Sequence, residues 1–223
     1  MRRIPTLVTA MQRLGAPAQA AAATAQPPIR QHREPSAMKH SERLSRAFGY
    51  AAHVHAGQLR KGTAVPYISH PLAVSALVLE YGGDEDQAIA ALLHDVVEDG
   101  GHQHASQINQ YFGERVLRMV LDCTDALDQG EPEWRARKQR YLAHLAEVGA
   151  DSLLVNACDK LHNARCILHD LERFGPASLE RFSGGREGVL WYYRSLGELF
   201  ARREALPAAA LGAVVAGIVA LAG

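Results

Sequence analysis

From Ile89 to Val97 the apolar side chains fall at i, i+3, i+4, i+7 and i+8: Ile89, Leu92, Leu93, Val96 and Val97 form one stripe of an α-helix. The same period recurs in Val116, Leu117, Val120, Leu121 and Thr124, and again in Leu154, Cys158, Leu161 and Leu168. Gly82-Gly83, Gly100-Gly101 and Gly184-Gly185 read as punctuation between helices, and strand-like alternation between turn signals is hard to find. The pattern predicts an all-α chain of about seven to nine helices with no internal repeat.

Chemistry is embedded in this apolar framework. The first stripe also carries His94, Asp95, Glu98 and Asp99. On an unbroken helix, His94 and Glu98 share a face, as do Asp95 and Asp99, because each pair is four apart. Burying such groups is costly unless they are paired or metal-bound; the alternative is a solvated helix end ahead of Gly100-Gly101. His70 precedes Pro71, which places it at a helix entrance, where a capping or surface role is the plain alternative. Asp159 and Asn163 share a helical face with Asn156 and His162 close by, a polar face that could equally be wet. Arg60 and Lys61 read alone as a solvated loop pair. Taken together, His70, His94, Asp95 and Asp159 supply two imidazoles and two carboxylates, a ligand set for a divalent metal.

Composition narrows the partners. The 24 basic and 24 acidic side chains among 223 residues cancel, which argues against a nucleic-acid binder and leaves phosphate recognition to a few placed residues. With 48% hydrophobic residues the chain can bury a proper core. Cys123, Cys158 and Cys166 have no Cys-x-x-Cys spacing and suit a reduced cytoplasm; Cys158, beside Asp159, reads as a small buried hydrophobe rather than a ligand. Residues 1–37 are rich in Arg, Ala and Pro, with no acid before Glu34, and read as a disordered extension or as sequence preceding a true start at Met38. Their Arg bias also has the character of a transit peptide or secretory signal. Residues 206–223 carry no charge and are too short to span a bilayer, which takes about 20 apolar residues; a last helix packed on the domain is expected, with a tail anchor or partner-binding helix as the alternative.

Three ordered segments carry a resemblance: His55–Thr63 with Pro66–Pro71, Ala90–Asp99, and Asp159–Arg165. Together with Phe112-Gly113 and Thr124-Asp125, they make the stretch from Ala52 to Arg194 resemble the HD-domain hydrolases of the alarmone guanosine tetraphosphate, in particular the small stand-alone members of the RelA/SpoT superfamily. The resemblance implies an all-α HD-domain helical bundle over residues 38–205. It implies one divalent metal, usually Mn²⁺ with other divalent ions acceptable, on His70, His94, Asp95 and Asp159. Glu98 and Asp99 would be catalytic, Glu98 taking a proton from water and Asp99 orienting it or the reacting group. Arg60 would stack on guanine, Lys61 would meet phosphate, and Asn163 would contact ribose or phosphate.

The implied reaction is hydrolysis of ppGpp or pppGpp at the 3′ position to GDP or GTP and pyrophosphate. Nothing matches a synthetase half, so the expectation is one-way degradation in the cytoplasm, without nucleic acid or membrane; a homo-oligomer is left open. Trp191, Tyr192, Tyr193 and Arg194 lie where small members have aromatic residues, with core packing as the plain reading. One departure is the loop Gly100–His104, whose His102 and His104 replace a threonine-rich turn and lie close enough to perturb substrate choice. The competing readings are a phosphatase of another nucleotide, such as the 2′-phosphate of NADPH, and a catalytically silent nucleotide sensor.

Overall fold

The computed structural model describes residues 41–125 and 133–223; the expectation for residues 1–37 lies outside them. Ten α-helices lie among the described residues: α1 (Glu42–Val54), α2 (Ser69–Glu80), α3 (Glu85–Leu93), α4 (Val96–Gly100), α5 (Gln103–Phe112), α6 (Glu114–Cys123), α7 (Trp134–Glu147), α8 (Ala150–Phe174), α9 (Gly185–Arg202) and α10 (Ala208–Ala222), with a 3₁₀ turn at Pro176–Arg181. No strand occurs among them, only an isolated bridge between Leu59 and Pro66. The count exceeds the seven to nine helices that periodicity suggests, because a short turn at His94-Asp95 divides the run Ile89–Val97 that periodicity alone joins.

Local chemistry sets the helix ends. Ser41 Oγ accepts from the amides of Arg43 and Leu44 at the start of α1. Asp84 and Gln87 form a reciprocal capping box at the start of α3, each side chain satisfying the other's backbone amide. At the end of α2, Gly82 (φ 80°) lets the chain reverse while the Gly83 amide reaches back to Val78 O at 2.8 Å, a Schellman closure. A Cβ on Gly83 would stand 2.5 Å from Val78 Cγ1 and 2.8 Å from Val78 O, so close approach requires glycine there, as the positive φ favours it at Gly82. Arg203 donates to the carbonyls of Leu145, Ala146 and Val148, closing the C-terminus of α7 from the end of α9.

The 25-residue α8, roughly 37 Å long, is the central element. It packs against α2, α3 and α6 on one side and α10 on another. Leu161, Val155, Ala157 and Cys158 along it are fully buried. α10 lays Leu211, Val215, Ile218 and Ala222 against α8 and α9 and leaves Gly212, Ala213, Ala216 and Ala220 exposed. No described helix is long and apolar enough to cross a membrane. The fold thus brings α2, the α3–α4 junction and the middle of α8 to one place.

Candidate active site

The junction of α3 and α4 departs from the unbroken helix expected across Ala90–Asp99. His94 Nδ1 lies 2.8 Å from Ala91 O, the carbonyl that a continuing helix would offer to the Asp95 amide. A carbonyl only accepts, so Nδ1 must be the donor. The imidazole takes that acceptor, Asp95 turns at φ −95°, ψ −3°, and α4 restarts at Val96. With Nδ1 protonated, Nε2 of a neutral His94 presents a lone pair to the interior.

That lone pair has company. His94 Nε2 is 3.2 Å from His70 Nε2, 2.9 Å from Asp95 Oδ2 and 3.7 Å from Asp159 Oδ1. His70 Nε2 is 3.1 Å from Asp159 Oδ1 and 3.6 Å from Asp95 Oδ2. His70 comes from the first turn of α2, Asp159 from mid-α8, and both imidazoles are almost wholly buried. Four acceptor atoms facing one another in a buried space repel unless a cation sits among them. The donor atoms of His70, His94 and Asp95 lie within 4.8 Å of one another, close enough to share one ion, and Asp159 Oδ1 stands beside both imidazoles. The residues therefore fit a divalent metal, and the protein's own charges report the same demand. Burial opposes protonation of His94, yet the carboxylates of Asp95 and Asp159 push it up to about 9. Burial likewise opposes ionisation of Asp159, but Lys160 and the histidines hold it well below the usual carboxylate range.

A second layer orients these groups. His70 Nδ1 lies 2.8 Å from His162 Nδ1, so one must donate and the other accept. Burial, then His70 and Arg60, lower His162 to about 4, so it is neutral near pH 7 and can accept from His70, leaving His70 Nε2 free to ligate. Lys160 Nζ is 2.6 Å from Asp159 Oδ2, and Asn163 Nδ2 donates to Asp159 Oδ1 at 2.6 Å. Tyr67 donates to Asp95 Oδ2 at 2.6 Å; burial and the Asp95 charge keep that hydroxyl protonated. The polar face of α8 is accordingly not wet: Asn156, fully buried, bonds Tyr141 Oη and the Ser152 carbonyl, and Asp159 faces the centre.

Glu98 and Asp99 leave α4 in different directions. Glu98 accepts from the Asp125 amide at 3.2 Å, and Asp125 is itself clamped by Arg137 and Lys138 from α7. Asp99 accepts from Gln58 Nε2 at 2.8 Å, and His55 backs Gln58. Burial pushes both carboxyls above their ordinary values, with the Asp95 charge adding to the effect. Arg60 donates to Asn163 Oδ1 at 2.7 Å and lies over the Tyr67 ring. Its loop is held as a small hairpin by Arg60 N to Val65 O and Tyr67 N to Gln58 O. Lys61 is exposed on that loop and joins none of these contacts among the described residues. His104 turns to Tyr50 at 2.6 Å, away from the ligand set. Tyr192 and Tyr193 are buried, while Trp191 is half-buried under Arg135.

Residue-type reasoning assigned no role to Tyr67, Gln58, Lys160 or His162. All four lie inside the segments His55–Pro71 and Asp159–Arg165, one to three residues from a candidate ligand or substrate contact, which is the signal that could have found them.

The comparisons agree with this geometry. The family model described as "HD domain" matches residues 47–179. A Xenopus tropicalis protein named guanosine-3′,5′-bis(diphosphate) 3′-pyrophosphohydrolase MESH1 is 38% identical over 133 residues, covering 58% of this chain and 70% of that protein. The Aquifex aeolicus guanosine-3′,5′-bis(diphosphate) 3′-pyrophosphohydrolase is 33% identical over 132 residues, 58% of this chain but only 18% of its own length. Among solved structures, one titled as a metazoan ortholog of SpoT that hydrolyses ppGpp aligns with TM-score 0.57 and 27% identity, covering 73% of this chain and 96% of that one. A Listeria monocytogenes structure shares the fold at TM-score 0.58 and 22% identity, over 66% of this chain and 96% of that one. With the match spanning every helix that contributes to the histidine–aspartate centre, the chain belongs to the HD-domain family.

Proposed function

We propose that this protein hydrolyses guanosine 3′,5′-bis(diphosphate) at the ribose 3′ position, releasing pyrophosphate and GDP, or GTP from the pentaphosphate. The observation that carries the reading is the pair Glu98 and Asp99 set one turn beyond the His70, His94, Asp95 and Asp159 cluster, in a chain 38% identical to a protein named for this reaction. His70, His94, Asp95 and Asp159 would hold the metal, which we take to be Mn²⁺ because mixed imidazole and carboxylate donors suit it. When bound, it supplies a lowered water pKa and neutralises phosphate charge.

The chain's own residues do the rest. Glu98, steadied by the Asp125 amide, accepts the proton of the attacking water. Asp99, held by Gln58, orients that water or the reacting phosphate. Water adds to the phosphorus on the 3′ oxygen, the phosphorus–oxygen bond breaks, pyrophosphate departs and the ribose oxygen regains a proton. Arg60 offers a planar cation to the guanine, Lys61 a charge to phosphate and Asn163 a donor to ribose or phosphate. Three free cysteines suit a reducing cytoplasm, and the balanced charge argues against a nucleic-acid partner.

The test offers Mn²⁺-loaded protein ppGpp, NADPH and GDP beside an Asp159→Ala variant. Pyrophosphate and GDP in equal amounts from ppGpp are expected. Absence of pyrophosphate overturns the reading, phosphate from NADPH favours a 2′-phosphatase, and full activity in Asp159→Ala overturns the metal assignment.

A further inference from the structure

Tyr67 sits between the two halves of the site and belongs to neither set of recognised residues. Its hydroxyl donates to Asp95 Oδ2 at 2.6 Å, the same oxygen that lies 2.9 Å from His94 Nε2. Its ring has Arg60 above it, the guanidinium carbon 5.6 Å from the centroid. The His55 ring lies against it at 4.9 Å between centroids, and the His70 ring meets it edge-on at 5.9 Å. One phenol therefore touches a metal-side carboxylate, a metal-side imidazole and the cation offered to the base. Arg60 reaches the other carboxylate by a separate route, through Asn163 to Asp159.

We propose that Tyr67 is a positioning residue that ties nucleotide recognition to the metal centre: its hydroxyl fixes the metal-facing oxygen of Asp95, and its ring seats the Arg60 guanidinium. The hydroxyl half follows from the donor set alone. A carboxylate free to rotate presents its oxygen to the ion only part of the time, and a donor that pins it removes that freedom; loss of such partners typically weakens metal binding roughly 10- to 100-fold. The ring half rests on the proposed nucleotide function. An arginine over an aromatic face is held by about 0.5–1 kcal/mol, so removal of the ring should weaken the base contact by roughly two- to fivefold.

The two halves separate by substitution. Tyr67→Phe keeps the ring and deletes the hydroxyl; Tyr67→Leu deletes both. Free Mn²⁺ is followed by electron paramagnetic resonance as chelator-treated protein is titrated, and ppGpp binding by calorimetry on Mn²⁺-saturated protein carrying Glu98→Gln to slow turnover. Tyr67→Phe is expected to raise the Mn²⁺ Kd at least tenfold and to leave the ppGpp Kd within twofold. Tyr67→Leu is expected to raise both. If its melting is not cooperative, Tyr67→Met serves in its place. A Mn²⁺ Kd for Tyr67→Phe within twofold of the parent overturns the hydroxyl half. A ppGpp Kd equal in the Phe and Leu variants overturns the ring half. If the parent binds no ppGpp while Tyr67→Phe has lost Mn²⁺ affinity, the nucleotide reading fails and takes the ring half with it, and the metal half stands.

Discussion

His94 shows how one side chain can set both backbone and chemistry. Its Nδ1 takes the Ala91 carbonyl, which ends α3 and, in the same act, fixes the tautomer that turns the Nε2 lone pair toward His70, Asp95 and Asp159. His70 is oriented in the same manner by His162. Two predictions belong here. Glu98→Gln, which keeps shape and a hydrogen-bond acceptor for the Asp125 amide, should lower kcat by roughly 10²- to 10⁴-fold while Mn²⁺ affinity stays within about threefold; steady-state kinetics beside a metal titration would check it, and a matching loss of Mn²⁺ affinity would mean that Glu98 is a ligand. His162→Ala should weaken Mn²⁺ binding by roughly 10- to 100-fold, read by the same titration, and unchanged affinity would remove His162 from the centre. That His70, His94, Asp95 and Asp159 come together was legible only from the four taken as a set, since each alone had a plain reading as a cap, a surface residue or a solvated helix end. His162 and Tyr67 were not, since their parts depend on ring orientation and on which nitrogen carries a proton, and neither is written in residue spacing.

At the scale of elements, apolar period and punctuation gave α8 and the existence of the other helices. The break between α3 and α4 escaped because the stripe Ile89–Val97 continues across it; only a side-chain bond to the backbone interrupts the ladder. Caps are stronger local signals, and Asp84 allows a test. Asp84 both caps α3 and meets Arg115 at 2.8 Å. Asp84→Ala should cost about 1 kcal/mol of stability, measured by urea unfolding. Asp84→Asn keeps a cap and loses the ion pair. Burial alone would raise the Asp84 pKa, but Arg115 and the backbone amides hold it below the ordinary aspartate value. A carboxylate depressed on folding stabilises above its unfolded value, and that contribution fades as pH falls through the lowered one. The melting temperatures of the parent and Asp84→Asn should therefore differ slightly near pH 7, by less than about 1 kcal/mol in free energy for so exposed a pair, and converge below about pH 3–4. A difference that widens in acid would contradict this account.

The described residues form a core built around α8, with the histidine–aspartate cluster at its middle. A ligand that binds only the folded state at a hundred times its Kd adds about 2.7 kcal/mol, so Mn²⁺ at that excess should raise Tm by roughly 5–10 °C. Differential scanning calorimetry would show it, and Asp159→Asn should abolish the rise. The position of that centre has a kinetic corollary. Asp159 lies mid-helix, buried, with α2, α3, α6 and α10 packed around α8. Arg60 stands on an exposed hairpin closed by a single bridge of two backbone hydrogen bonds. In amide hydrogen exchange the Asp159 segment should open only with global unfolding, while residues 57–65 exchange through local opening many orders of magnitude faster. On the proposed function, substrate exchange would then cost only the opening of a surface loop, while the buried residues around Asp159 stay assembled from one turnover to the next.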